Sequence, residues 1–214
     1  DADLWKRLGG EMGWTGIMIP EEFGGAGLGA VELGLILEEM GRVLAVAPFF
    51  ETAALAAPAI LFAGSDAQKE ALLGPIAAGE VSATLALRSK SRDFGLQHIG
   101  PSFEGGVLSG EAHYVPFGHV VDQLVVAART VPDQRYGIGL FIVERGMAGF
   151  ERGRQLQKIG LHAQDTSELF FKDVKVPKAN VLGDPAKGFH YLTHFLAEER
   201  LIGSVQYTTG AQLA

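Results

Sequence analysis

The hydrophobic period of this chain changes twice, and that change constrains the fold more than any other feature. Over about residues 1–80 the spacing is helical. Leu33, Ile36, Leu37, Met40, Val43 and Leu44 recur at i, i+3, i+4 and i+7, with Glu32, Glu38, Glu39 and Arg42 on the other face. Ser65 followed by Gln68 predicts a capping box that opens a helix through Leu73. Residues 24–29 are a glycine-rich turn ahead of the long helix. Over about residues 81–180 the period shortens. Residues 81–87, 107–115, 124–128, 139–143 and 168–176 are β-prone runs punctuated by Gly, Pro, Asp and Ser. No helix-length pattern separates them, so an antiparallel barrel or sandwich is expected. From Gly188 the helical period returns, with Phe189, Leu192, Phe195, Leu196, Ile202 and Val205 on one broad face. The expected class is therefore α+β and multi-domain. A helical domain spans 1–80, a middle antiparallel β-barrel or sandwich spans 81–180, and a C-terminal helical bundle starts within 181–214.

Composition narrows the function classes. With 214 residues the chain can form one large domain or two modest ones. A net charge of −7 argues against a nucleic-acid partner, which needs clustered Lys and Arg. The absence of cysteine removes disulfides, thiolate nucleophiles and Cys-based zinc sites. It fits a reducing compartment, and the cytoplasm is the expected location. No apolar run approaches the ~20 residues needed to span a bilayer. Asp1 opens the chain with neither an initiator Met nor a signal pattern, and residues 208–214 carry no helix stop signal. Both ends are expected to be interior points of a longer protein.

Three patterns invite chemistry, and each has a bland reading. Residues 25–30, Gly-Ala-Gly-Leu-Gly-Ala, match a dinucleotide-binding pattern. No βαβ alternation follows the possible strand at 16–19, so a structural turn is the preferred reading. His190 and His194 sit i, i+4 on a helix with Glu198 one turn on, a spacing that can hold zinc. The zinc-protease form needs Glu directly after the first His, where this chain has Tyr191, so a polar helix face is preferred and no metal is expected. His98, His113, His119 and His162 have no ligand spacing, and no G-x-S-x-G elbow is present. Glu199 and Arg200 form an adjacent charged pair within an apolar helical stretch, and composition alone leaves their role open.

Four colinear segments carry a resemblance. They are Pro20-Glu-Glu-Phe-Gly-Gly-Ala-Gly-Leu-Gly29 with Glu38-Glu-Met-Gly-Arg42; Gln68-Lys69 through Ala78-Gly-Glu80; Gly160-Leu-His-Ala-Gln-Asp-Thr-Ser-Glu-Leu-Phe-Phe-Lys-Asp-Val-Lys-Val-Pro177 with Asn180-Val-Leu-Gly183; and Gly188-Phe189 with Leu196-Ala-Glu-Glu-Arg-Leu201. Together they resemble the acyl-CoA dehydrogenases over essentially the whole chain, up to the start of that family's C-terminal bundle. The resemblance implies FAD as cofactor, an acyl-CoA substrate and an electron-transferring flavoprotein as acceptor. It also implies an oligomer of the same or related subunits. Its chemistry needs a tuned carboxylate base, a flavin over the Cα–Cβ bond and two donors on the thioester oxygen.

Carried over residue by residue, the resemblance places flavin contacts at Leu85, Leu87, Arg88, Tyr114 and Pro116. The family usually has Thr-Glu-Pro where this chain has Arg88-Ser-Lys90, and Trp-Ile-Thr-Asn-Gly where it has Tyr114-Val-Pro-Phe-Gly118. Pro116 thus brings neither a hydroxyl nor an N–H. Arg200 matches an arginine at the substrate site, while the acid usually three residues earlier is Ala197. The base glutamate is expected beyond residue 214. One branch of the family carries it in this helix, where the matching position is Gln212, which cannot accept a proton at neutral pH. No catalytic residue is therefore assigned within the chain. The alternative expectation is a flavin-deficient structural subunit of a heteromeric dehydrogenase.

Overall fold

The computed structural model describes residues 2–91, 98–131 and 136–212. The helical part contains α1 (Ala2–Lys6), α2 (Ala30–Arg42), a π-helical turn (Glu51–Ala56) that runs into α3 (Ala57–Ala63), and α4 (Asp66–Ala77). The capping box forms as the sequence predicts. Gln68 N–H donates to Ser65 Oγ at 3.3 Å, and Ser65 N–H donates to Gln68 Oε1 at 2.9 Å. The helix runs past Leu73 to Ala77 with Pro75 inside it. Gln68 Nε2 also donates to Ala179 O and Val181 O, both at 2.8 Å, which ties the start of α4 to the end of the strand region.

Two local expectations are corrected. Helix α2 stops at Arg42, so Val43 and Leu44 do not continue its buried face and are about three-quarters exposed. Leu44 adopts φ +48° as the chain turns, and Ala45 N–H closes back on Met40 O. Residues 16–19 are not a strand. A 3₁₀ turn at Trp14–Gly16 overlaps their start, and they receive the glycine-rich turn through three bonds: Ala26 to Gly16, Gly27 to Ile19 and Leu28 to Ile17. A Cβ at Gly25 would lie 2.0 Å from Ile19 O, so this close approach requires glycine.

Among the described residues eight strands follow: β1 (Ala83–Ala86), β2 (Ser102–Glu104), β3 (Val107–Pro116), β4 (Gln123–Arg129), β5 (Ile138–Glu144), β6 (Phe150–Gln155), β7 (Thr166–Lys175) and β8 (Val181–Leu182). They form one sheet in the order β6-β7-β3-β2-β4-β5-β8, with β1 also paired to β4. Most pairs are antiparallel, but β1 and β2 each run parallel to β4. The β2–β3 hairpin lies between β1 and β4 in the chain, and it gives the connection enough length to return in the same direction. Strands β4 and β5 are buried on both faces, which is why they read as unbroken apolar runs. Val125, Ala127, Leu140 and Ile142 face Ile60, Leu73, Ile76 and Phe195 on the helical side. Val126, Phe141 and Val143 face Leu108, Leu169 and Phe171 across the curled sheet.

The chain ends in α5 (Gly188–Gln212). Leu192, Phe195 and Ile202 are its buried apolar anchors. It crosses α2 closely at Gly41, where a Cβ would lie 2.5 Å from Gln206 O. Among the described residues no helix is long and apolar enough to cross a membrane.

Candidate functional site

The site is built where β1 and β3 end beside each other. His113 N–H donates to Arg88 O at 2.8 Å, so the segment after β1 lies against β3. One residue later β3 bulges: Ala112 pairs with Leu169 and Val115 with Ser167, leaving an extra residue on β3. Tyr114 takes φ +58° in this bulge and is 46% exposed, while His113 and Val115 on either side stay buried. The bulge thus turns an aromatic ring outward from a strand whose neighbours face inward. Arg88 and Lys90 are exposed on the adjoining segment, with Ser89 between them half-buried.

The turn after β3 is held by the loop ahead of β7. Phe117 N–H donates to Asp165 O at 2.9 Å, and His119 N–H donates to Asp165 Oδ2 at 2.8 Å. Ser167 Oγ donates to the same carboxylate at 3.0 Å. The loop is fastened in turn by Lys158, whose Nζ donates to Gln164 O at 2.7 Å and Thr166 Oγ1 at 2.8 Å. Gln164, Asp165, Thr166 and Ser167, which sequence reading quotes only as a motif, therefore position the turn.

Phe117 is shared between this turn and a cavity of about 490 Å³. Met40, Leu44 and Phe50 line one side of the cavity, Leu161 and Gln164 another, and Gln206 and Tyr207 of α5 a third. Its lining includes one carboxylic acid, Glu51, which is 4% exposed. Gln164 Nε2 donates to Glu51 Oε1 at 3.1 Å, whereas Oε2 is buried without a hydrogen-bond partner. Burial pushes the Glu51 carboxyl up to about 7, against the opposing pull of its own N–H, Gln164 and Lys158. Sequence reading missed Glu51. Its signal was available, since it is the single charged residue in the apolar stretch 43–63.

The other sequence candidates lie as follows. Leu85 is buried in the core between sheet and helices, and Leu87 packs half-buried against that core. Pro116 is half-buried at the end of β3. Arg200 is exposed on α5, two turns before Tyr207, and Gln212 is exposed at the last residue of that helix. His190 and His194 pack against Phe62, with His194 stacked on its ring at 3.9 Å, and no metal-binding group occurs among the described residues. Glu32 accepts from Gly29 N–H at 2.9 Å and places its own carboxylate at the start of α2.

The chain is similar along 94% of its length to the long-chain specific acyl-CoA dehydrogenase of Sus scrofa mitochondria, with 35% identity. The chain belongs to the acyl-CoA dehydrogenase family. Residues 1–80 match the acyl-CoA dehydrogenase N-terminal domain. Isovaleryl-CoA dehydrogenase of Pongo abelii is 35% identical, also over 94% of the chain. The chain spans about half the length of these curated relatives, 48% and 49%. The solved acyl-CoA dehydrogenase of Geobacillus kaustophilus superposes on all of this chain with a TM-score of 0.90 and 33% identity, using 58% of that structure. The helix–sheet–helix order described above is thus the family's fold.

The segment 88–90 and the bulge at Tyr114 can be tested for fit to a flavin. An isoalloxazine presents an acceptor-rich edge of carbonyls and ring nitrogens. Exposed Arg88 and Lys90 suit that edge as donors, and the outward Tyr114 ring suits its apolar face. Pro116 offers neither donor. Were a flavin bound there, Arg88 and Lys90 would meet it as cationic donors.

Proposed function

We propose that this chain supplies the N-terminal and middle parts of a flavin-dependent acyl-CoA dehydrogenase acting on the α and β carbons of an acyl-CoA thioester. The observation that carries this reading is the sharing of Phe117 between the turn beside Tyr114 and an apolar cavity. It supports a ring bound on one side and an aliphatic chain received on the other. FAD, when bound, would supply the hydride acceptor. Arg88, Lys90 and Tyr114 would hold its ring system, and Leu87 would back the same strand end. Arg200 is exposed on α5, two turns before Tyr207, which lines the cavity. Gln212 has no basic form at neutral pH, so no proton-abstracting glutamate is assigned to that position. An electron-transferring flavoprotein as acceptor and an oligomeric assembly follow from the same reading.

The test is anaerobic addition of octanoyl-CoA to the full-length, FAD-loaded protein. The expected result is loss of the oxidised-flavin absorbance band. Failure to take up FAD would refute the reading.

A second reading is a flavin-deficient structural subunit of a mixed dehydrogenase. Arg88 and Pro116 support it, since both lie inside the chain at the expected flavin edge. Under it, the wild-type protein stays colourless, and replacing Arg88→Thr with Pro116→Thr raises FAD affinity by about tenfold or more, the equivalent of one or two added hydrogen bonds.

A further inference from the structure

A buried imidazole stands next to the outward Tyr114. His113 is 4% exposed on β3, and two carboxylates flank its ring. Nδ1 lies 3.5 Å from Glu168 Oε1 on β7, and Nε2 lies 3.1 Å from Glu111 Oε1 on β3. Nε2 is buried and closes no hydrogen bond, so its relation to Glu111 is set by the charge of the ring rather than by a bond. Glu168 joins the group together. Arg154 of β6 holds it with two bonds, at 3.0 and 3.1 Å, and the charges of His113 and Lys90 act on it as well. Basic groups from three places, β6, β3 and the segment after β1, thus converge on one carboxylate whose side chain is 13% exposed. The same histidine ties that segment down through its main chain, since His113 N–H donates to Arg88 O at 2.8 Å. Tyr114 follows at φ +58°, a left-handed conformation that a large residue keeps only where its surroundings enforce it.

We propose that His113 and Glu168 are positioning residues. With its ring charged, His113 pairs with Glu168 and Glu111 and holds the Arg88–Lys90 segment against the bulge at Tyr114; loss of the ring proton loosens that hold. The inference rests on the flavin reading for what the positioned edge receives, and on the geometry alone for the hold. Its basis is the donor count of an imidazole. Charged, the ring has an N–H at both nitrogens, one for each carboxylate. Neutral, it keeps one, and the other nitrogen turns a lone pair toward a carboxylate oxygen. The groups that face the ring are Glu111 and Tyr114 on β3 and Glu168 on β7, with Arg154 and Lys90 acting on Glu168. The bonds from Arg154 hold the Glu168 carboxyl below its ordinary value of 4.5. Glu168 therefore stays an anion across about pH 5–8, the range in which imidazoles change charge.

Hydrogen exchange in the full-length protein without flavin tests this. Mass spectrometry follows two hydrogens of residue 113. The amide that bonds Arg88 O, corrected for the pH dependence of free-chain exchange, reports the hold. The ring Cε1 hydrogen reports the charge of the imidazole. Protection of the amide is expected to fall about tenfold or more between about pH 5.5 and about pH 8, the size of one hydrogen bond to a charged group. It should fall in step with loss of the ring proton. His113→Gln, neutral throughout, should keep one level of protection within about twofold. Glu168→Gln, which removes the ring's ionised partner, should lose most of the change. Wild-type protection that does not vary with pH, or varies out of step with the ring, would overturn the proposal. So would a change that persists in His113→Gln. Amide and ring are compared within the wild-type protein, which keeps the inference testable should a variant fold poorly. Titration with FAD at the two pH values separates this inference from the flavin reading. FAD should bind about tenfold tighter at the lower pH in wild type, and equally at both in His113→Gln. Equal affinity in wild type would overturn the positioning role. Protection that falls with pH, without FAD uptake at either value, would sustain the hold and remove the flavin reading; FAD uptake with constant protection would do the reverse.

Discussion

Glu51 gives the fold a pH dependence whose sign and size follow from its burial. Its carboxyl is raised from an ordinary value of 4.5 to about 7, chiefly because the charged form is removed from water. Below about pH 4.5 the folded and unfolded chains both hold the proton, and the group contributes no pH-dependent cost. Between about 4.5 and 7 the unfolded chain releases it while the folded chain keeps it. The folded state then binds more protons, so stability falls as pH rises. Above about 7 both states are ionised and the cost stays constant. The rise of about 2.5 pH units, at about 1.4 kcal/mol each, amounts to roughly 3 kcal/mol. Replacing Glu51→Gln removes the titration but keeps the side-chain shape and an acceptor for Gln164. The stability of the variant minus that of wild type should therefore grow by roughly 3 kcal/mol between about pH 4.5 and about pH 7.5. Urea unfolding at a series of pH values measures it, and the other carboxylates cancel in the difference. A difference that stays within about 0.5 kcal/mol across that range, or shrinks with pH, would refute the burial argument.

Three further outcomes are expected. Gln68→Ala loses the side-chain half of the capping box, the bond from Ser65 N–H, together with the bonds to Ala179 and Val181; urea unfolding should register a loss of about 1–3 kcal/mol, and an unchanged midpoint would remove the link between α4 and β8. Gly41→Ala sets a methyl against Gln206 O at the crossing of α2 and α5; a destabilisation of about 1–3 kcal/mol should appear as a lower melting temperature. Asp165→Ala frees the His119 amide and the Ser167 hydroxyl. Amide exchange at Phe117 and His119 should quicken by tenfold or more, for a cost of about 1–3 kcal/mol, and unchanged exchange would show that the turn is held elsewhere.

The helices and the central strands were legible because their signals are local. Leu33, Leu37 and Met40 mark a face by spacing, and Ser65 with Gln68 announces a helix start. Strand β6 was illegible for the opposite reason. Its sequence, Phe-Glu-Arg-Gly-Arg-Gln, is an edge strand's polar run and carries no alternation to read. The parallel pairing of β1 with β4 was equally hidden, because pairing direction is set by a long connection and not by the residues that pair.

At the site the division is the same. Tyr114, Arg88 and the Gln164–Ser167 motif could be singled out along the chain, and their resemblance to a family named a chemistry. Their arrangement came only from folding. A one-residue bulge decides that Tyr114 faces out, Asp165 decides where the turn at Phe117 stands, and the crossing of α5 over α2 closes a cavity around Glu51. A lone acid in an apolar run is visible in sequence. Its raised affinity for a proton is not, because that depends on burial, which the tertiary fold produces by bringing segments more than a hundred positions away, Tyr207 among them, to the same cavity. Periodicity fixes which residues must be hidden together, whereas electrostatics depends on which particular neighbours the tertiary fold brings to each charge.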